Sequence, residues 1–458
     1  LGNTFEPSTE DIMAKRSTVI AAGAAAVLLA IIGAVAALNP SDSDGPGEAA
    51  RVTVRLWDEP VAAAYEKSFA AFEKDNPDIQ VDVEIVPWDD YFEKLRTDVA
   101  GDGAPDVFWV DGGSYPAYAD AGALLNITTA LPADAQADWS AAVTAQYTRN
   151  AVLWGVPQLA DPGIAVYYNA DLLGDAGLTP DDVSALTWDP AGQDDTLIAV
   201  LQKLTKDYNG NTADSADFDG SNLSQYGYNA GYDLQAMVLN YLASNGAQFQ
   251  DASNQYAFAS DAGIASFQYL IDLMNKWQVA PSAADTNSNG DFSREQFLQG
   301  KMALFQSGVY NLANVSAGAN FDWGVVQLPS GPVGAISNVD GIAAAGNAAS
   351  AHPAETQRVL EWLGSAAGSE FIGASGAASP AVLAAQPAYA EYWAAEKVDI
   401  SPFYDVLAAG TAPAPRGAGW PAAENAMRPL LDEVFLGRTP AGQGVRAAQE
   451  AANATLTE

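Results

Sequence analysis

The sequence predicts a mixed α/β protein built on a right-handed parallel sheet and divided into two or three lobes. Three observations predict this. Strand and helix periods alternate over about sixty residues from Arg51. The chain has 458 residues, about three times the ~150 used as a prior for one domain. Hydrophobic residues make up 49%, enough to bury cores and too many for a wholly disordered chain.

In chain order, Lys15-Arg16 precede an uncharged apolar run from Ser17 to Leu38. This has the layout of a signal peptide, with Ala34-Val35-Ala36 as a small-x-small cleavage site. A retained anchor is the other reading, since a helix of that length spans ~33 Å against a ~30 Å hydrocarbon core. Either route exports the protein. Residues 1–12 are then an upstream-start artefact or a short cytoplasmic tail. Residues 39–50, rich in Pro, Gly, Ser and Asp, form a flexible linker.

The folded body begins at Arg51. Val52, Val54 and Leu56 alternate as a strand, which ends at Trp57-Asp58. Tyr65, Phe69 and Phe72 follow at helical spacing, with Pro77 beyond the helix end. Ile79, Val81, Val83 and Ile85 predict a second strand. Asp89 is placed to cap a helix carrying Phe92, Leu95 and Val99, and Val107 to Val110 give a third strand. Further strands are expected at 164–168, 321–328 and 341–345, and helices at 197–204, 233–242, 264–277, 353–364 and 421–436. No internal repeat of solenoid or propeller length is visible.

Charge and composition exclude several functions. Lys plus Arg number 20 against 57 Asp plus Glu, a formal net charge of −37, which repels nucleic-acid backbones. Without cysteine there is no disulfide, thiolate metal site or Cys nucleophile. Any Ser-His-Asp triad would have to use His352, the single histidine.

The candidate site chemistry lies at the strand ends, beyond which open parallel sheets bind ligands. Trp57-Asp58 and Trp109-Val110-Asp111 each set an aromatic ring beside a carboxylate. A ring can lie against the C–H face of a sugar while the carboxylate accepts from its hydroxyls. Equally, Trp109 can be core and Asp111 the start of a turn with Gly112-Gly113.

APDVFWVDGGSYPAYADAGALLNIT (104–128) resembles the signature of extracellular solute-binding proteins, family 1, the maltose-binding-protein-like subunits of sugar ABC transporters. Further matches, in family order, are VPWDDYFEKLRTDVAGDGAPDV (86–107), WGVPQLADPGIAVYYNADLL (154–173), FLQGKMALFQSGVYNL (297–312), FDWGVVQLPSGPVG (321–334) and GRTPAGQGVRAAQE (437–450). The resemblance implies a two-lobed periplasmic-binding-protein-like fold, α/β, with parallel-dominated sheets flanked by helices. The N-terminal lobe is expected from 51–158 and 326–363, and the C-terminal lobe from 159–325 and 364–458. Hinges are expected near Gln158–Asp161, near Val325–Leu328 and after the helix ending around Leu363.

Carried over residue by residue, the resemblance places Trp57, Asp58, Trp109, Asp111, Asp161, Tyr232, Asp233, Tyr310 and Arg428 at the ligand. Glu424 stands where maltodextrin binders have a stacking Trp, and Trp420 is the nearby substitute, which puts maltose itself in doubt. The implied function is capture of a neutral mono- or oligosaccharide by a monomer that delivers it to an ABC permease, without catalysis, cofactor or metal. A secreted glycosidase, needing two carboxyl groups ~5–9.5 Å apart, and a surface sugar sensor are the alternatives. Many Gram-positive relatives carry a lipid-modified cysteine that this chain lacks, which leaves release or transmembrane retention. Asp285-x-Asn287-x-Asn289-Gly290 begins like a calcium loop, but Gln296 at position twelve cannot clamp the ion in bidentate fashion. Ser293 and Gln296 read instead as a helix capping box, and the acidic run 207–220 as a solvated loop.

Overall fold

The computed structural model describes residues 49–101, 103–287 and 289–457. The expected signal or anchor segment, 1–38, and most of the linker lie outside the described residues.

The first half is a parallel α/β unit. β1 (Ala50–Leu56) pairs in parallel with β2 (Ile79–Ile85) and with β3 (Val107–Val110). α1 (Glu59–Asp75) and α2 (Trp88–Ala100) are the crossovers. Asp58 starts α1 by accepting from Val61 N at 2.9 Å, and the stripe Tyr65, Phe69, Phe72 is buried beneath it. Asp89 does not cap α2. Pro87 holds the cap position, and Asp89 and Asp90 sit in the first turn, where a carboxylate favours the positive end of the helix dipole.

α3 (Ala141–Gln146) leads towards β4 (Val156–Asp161), and the chain then crosses to the second half. There β5 (Ile164–Asn169) is the centre of a three-stranded sheet, flanked by β6 (Leu304–Gly308) and β7 (Trp323–Val326). Both pairings are antiparallel, so the parallel pattern expected of both sheets is confined to the first. Period-two alternation along β5 divides two layers of core. Val166 belongs to the core of Leu201, Phe267 and Leu431, while Ala165 and Tyr167 belong to that of Phe305, Tyr389 and Trp393. The expected helix at 233–242 is a π-helical turn, Leu234–Val238, running into α4 (Leu239–Ser244). α5 (Asp261–Asn275) and α6 (Phe292–Leu298) complete this segment. Asp291 holds the cap position of α6, so Ser293 lies inside the helix and makes no capping box. The 207–220 loop is not merely solvated: Asp207 is 1% exposed and accepts from the backbone N–H groups of Asn209, Asn211 and Asp219.

β8 (Ser337–Gly346) returns to the first sheet, antiparallel to β3 and β4. α7 (Pro353–Leu363) and α8 (Ala366–Ala374) follow. The segment after Leu363 does not leave for the second half, as the expected hinge there required. Ile372, Ala377, Val382 and Ala385 belong to the first core, and the crossing comes at α9 (Gln386–Ala395), whose Tyr389 and Trp393 belong to the second half. The physical reason is side-chain size. Ser68 Oγ donates to Gly368 O at 2.8 Å, α8 docks through small residues, and a segment this poor in large apolar residues shows little helical period. β9 (Thr411–Pro413) adds a parallel strand to the start of β8, giving six strands in all. α10 (Trp420–Phe435) and α11 (Ala441–Ala454) close the second half.

Candidate ligand-binding site

Aspartates that start helices or turns point from both halves at their junction. Asp58 caps α1. Asp111 Oδ1 accepts from Ser114 N at 2.6 Å, and Asp233 Oδ1 accepts from Ala236 N at 2.8 Å to start the π-helical turn. Each of these backbone N–H groups occupies one lone pair of its carboxylate. Asp161 ends β4 opposite Asp340 of β8, and Glu424 stands on α10 one turn before Arg428.

The electrostatics show that these groups share one neighbourhood. Burial, followed by the charges of Asp340 and Asp58, pushes Asp161 up to about 8. Burial pushes Asp58 up to about 6, against the Val61 N–H and the charge of Arg294. Asp340 is driven to about 6, mainly by burial. Glu424 reaches about 7 through burial and the charge of Asp111. Burial also raises Asp111 and Asp233. Asp58, Asp111, Asp161, Asp340 and Glu424 nevertheless keep partial solvent access, and Asp233 is exposed. Carboxylates hemmed in by protein yet reachable by water describe the walls of a narrow cleft.

Aromatic rings border it. Trp57 is half-buried, with T-shaped contacts to Trp88, Tyr91 and Trp109 at 5.1, 4.8 and 4.9 Å. Trp88 is 48% exposed at the outer edge of that cluster. Tyr310 is half-buried within the influence of Asp233 and Asp161. Tyr404, 39% exposed, also feels Asp161.

Three residues expected at the ligand have other placements. Trp109 is fully buried; its Nε1 donates to Tyr65 Oη at 3.1 Å, and Tyr65 donates to Gln158 Oε1 at 2.6 Å. β3 is covered on both faces, so no ring face is left for a sugar. Trp420 lies in the second core against Phe249 and Tyr256 and brings only an edge to the junction. A Cβ on Gly113 would come within 2.2 Å of Trp420 Cδ1. Tyr232 cannot serve as a plate either: the Arg428 guanidinium lies 4.4 Å over its ring, and Phe435 meets it at 5.7 Å. What Tyr232 retains is a buried hydroxyl without a hydrogen-bond partner. Arg428 also donates from Nε to Asp432 Oδ1 at 2.9 Å.

Asp340, Gln146, Gln235, Arg294 and Tyr404 were not among the expected residues. Asp340 is the one charged residue of β8, the one local sign that could have singled it out. Glu424 and Arg428 stand four apart on one helix face, a spacing the sequence shows. Among the described residues, no group of three or more His, Asp or Glu side chains is placed to hold a metal ion, and residue 288 of the calcium-like segment lies outside them.

A fold of two α/β halves crossed by several chain segments, with an acidic cleft between them, defines a cleft-binding protein. The match to bacterial extracellular solute-binding proteins extends over residues 57–370, and the chain belongs to that family. The crystal structure of Mycobacterium tuberculosis UspC is 53% identical, covering 88% of this chain and 100% of that one with a TM-score of 0.70. The Listeria monocytogenes ABC substrate-binding protein Lmo0181, solved with cycloalternan, has a TM-score of 0.77 at 19% identity, covering 90% of this chain and 100% of its own. By sequence, a binding protein of Brucella abortus (strain 2308) is 22% identical over 289 residues, 62% of this chain. The maltodextrin-binding protein MdxE of Bacillus subtilis (strain 168) is 26% identical over 303 residues, 65% of this chain. The chain spans 64% and 63% of the lengths of these last two relatives.

Proposed function

We propose that this chain is the exported capture subunit of a carbohydrate ABC importer, closing two lobes on a neutral sugar and passing it, unaltered, to a membrane permease. The observation that carries this reading is the convergence of Asp58, Asp111, Asp161, Asp233, Asp340 and Glu424 from both halves on one junction bordered by Trp57, Tyr310 and Tyr404. Carboxylates accept from sugar hydroxyls, and accessible ring faces cover C–H surface. A ligand touching both lobes favours the closed form by its differential contacts. The acid-lined walls disfavour uronates and sugar phosphates.

Within this reading, one lobe comprises 50–161 and 337–385 and the other 164–326 and 386–457, with β9 at the hinge. Trp57, Tyr310 and Tyr404 supply contact area, the carboxylates orient hydroxyls, and Arg428 holds Tyr232 and its hydroxyl in place. The protein acts as a monomer at the outer face of the membrane, anchored or released. Solved relatives include proteins bound to maltotriose and to α-D-tagatose, so the ligand screen should span ring numbers.

Thermal unfolding against neutral, amino and phosphorylated saccharides is the test, followed by calorimetry. A ligand at a hundred times its Kd stabilises by about 2.7 kcal/mol. No response to any saccharide would defeat the proposal, as would release of product from a labelled oligosaccharide at enzymatic rates.

A further inference from the structure

One carboxylate, Asp340, takes hydrogen bonds from both halves. Asp340 Oδ1 accepts from Gln146 Nε2 at 2.5 Å and from its neighbour Gly341 N at 2.8 Å. Asp340 Oδ2 accepts from Gln235 Nε2 at 2.6 Å. Gln146 ends α3, whose Val143 belongs to the first core, and Asp340 sits in β8 of the first sheet. Gln235 lies in the π-helical turn, beside Ala236 and Met237 of the second core. The first lobe therefore fixes one oxygen, and the other receives a donor from the opposite lobe.

We propose that the Gln235–Asp340 hydrogen bond is a clip that sets how much of the free protein is closed, making Gln235 a positioning residue for capture. This rests on the two-lobe closure reading above. Apparent affinity scales with the fraction of molecules in the binding-competent form. A charge-assisted bond present only in the closed form raises that fraction before ligand arrives. Packing at the same junction supports it. A Cβ on Gly113 would lie 2.2 Å from Trp420 Cδ1, so this glycine allows the halves the approach the clip needs. A Cβ on Gly112 would lie 2.2 Å from Gln146 Nε2, so Gly112 leaves room within the first lobe for the Gln146 side chain that holds Asp340.

The field around the clip is acidic. Asp161 faces Asp340 from β4, Asp111 lies in the turn after β3, and Tyr147 follows α3, all within electrostatic reach. A second carboxylate facing Asp340 is repelled when both are ionised, whereas one shared proton restores a hydrogen bond.

The native chain has no cysteine, so spin labels on cysteines introduced at exposed Glu66 and Gln268, one per lobe, report the lobe separation without interference. Unliganded Gln235→Ala should show a larger separation than wild type and about tenfold weaker sugar affinity. Gln235→Glu should open at pH 8 and close again at pH 5. The proposal is overturned if Gln235→Ala leaves the free-state separation unchanged, or if Gln235→Glu shows no pH response. If sugars bind and compact the wild type while Gln235→Ala matches it when free, the clip fails and the capture reading stands. If Gln235→Ala opens while no sugar binds wild type, the clip stands and that reading fails.

Discussion

Trp109 and Trp57 stand in the same short motif, an indole before an acid at a strand end, yet the fold separates their roles. Trp109 is fully enclosed and holds Tyr65 by its indole nitrogen, so Trp109→Ala should cost about 3–5 kcal/mol of stability. Chemical denaturation measures this, and an unchanged midpoint would contradict a core role. Trp57 keeps an accessible edge, and Trp57→Ala should lower saccharide affinity, by about 1 kcal/mol if a ring–sugar contact is lost. Calorimetry giving wild-type affinity for the variant would remove Trp57 from the site. The cleft acids make a second residue-scale prediction. Carboxyl groups have pKa values near 4 when unfolded; here Asp58, Asp340, Glu424 and Asp161 are held at about 6, 6, 7 and 8. Between these limits the native state binds more protons than the unfolded chain, so stability falls as pH rises. The ligand-free protein should therefore melt at a higher temperature at pH 5 than at pH 8, with Asp161→Asn flattening the slope. Asp207 runs the other way: burial opposes ionisation, but its backbone and Asn211 donors hold it at about 2, so its contribution is lost only below about pH 4. A melting temperature that climbs from pH 5 to pH 8 would show that the cleft acids are not confined as described.

At the scale of elements, period and capping were legible where an element packs through large residues. β1, α1 and β2 occupy nearly the positions their apolar spacing predicts, and Asp233 caps a helical segment at the expected place. α8 was missed as part of the first lobe because Gly368, Ser369 and Gly373 pack by closeness instead of by apolar bulk. A Cβ on Gly368 would come within 2.0 Å of Trp362 O. Gly368→Ala should therefore push α8 away from the end of α7 and destabilise by about 1–3 kcal/mol, the usual scale of overpacking. Equilibrium unfolding tests this, and a neutral result would mean the contact relaxes without cost. The antiparallel order of the second sheet was also hidden, because alternation along a strand reports which faces are buried and not the direction of its neighbours.

For the whole molecule, closure is the property that matters. The edge of Trp420 at Gly113 places the second core directly against a loop of the first half. Gly113→Ala should then impede closure while leaving each core intact: scattering should give a larger radius with saccharide than wild type shows, at a near-normal melting temperature. A liganded radius equal to that of wild type would show that the halves do not meet there.

The sequence by itself determined the α/β class and the places of β1, α1 and β2, because each depends on spacing within about twenty residues. Only the tertiary structure decided which side chains share a site. Asp58, Asp161, Asp340 and Glu424 lie far apart along the chain and meet because it crosses repeatedly between the halves. The same crossings bury Trp109 and give Arg428 to Tyr232. Burial, and with it the charge state of an acid or the availability of a ring, is set by what packs around a side chain, and no local pattern contains that.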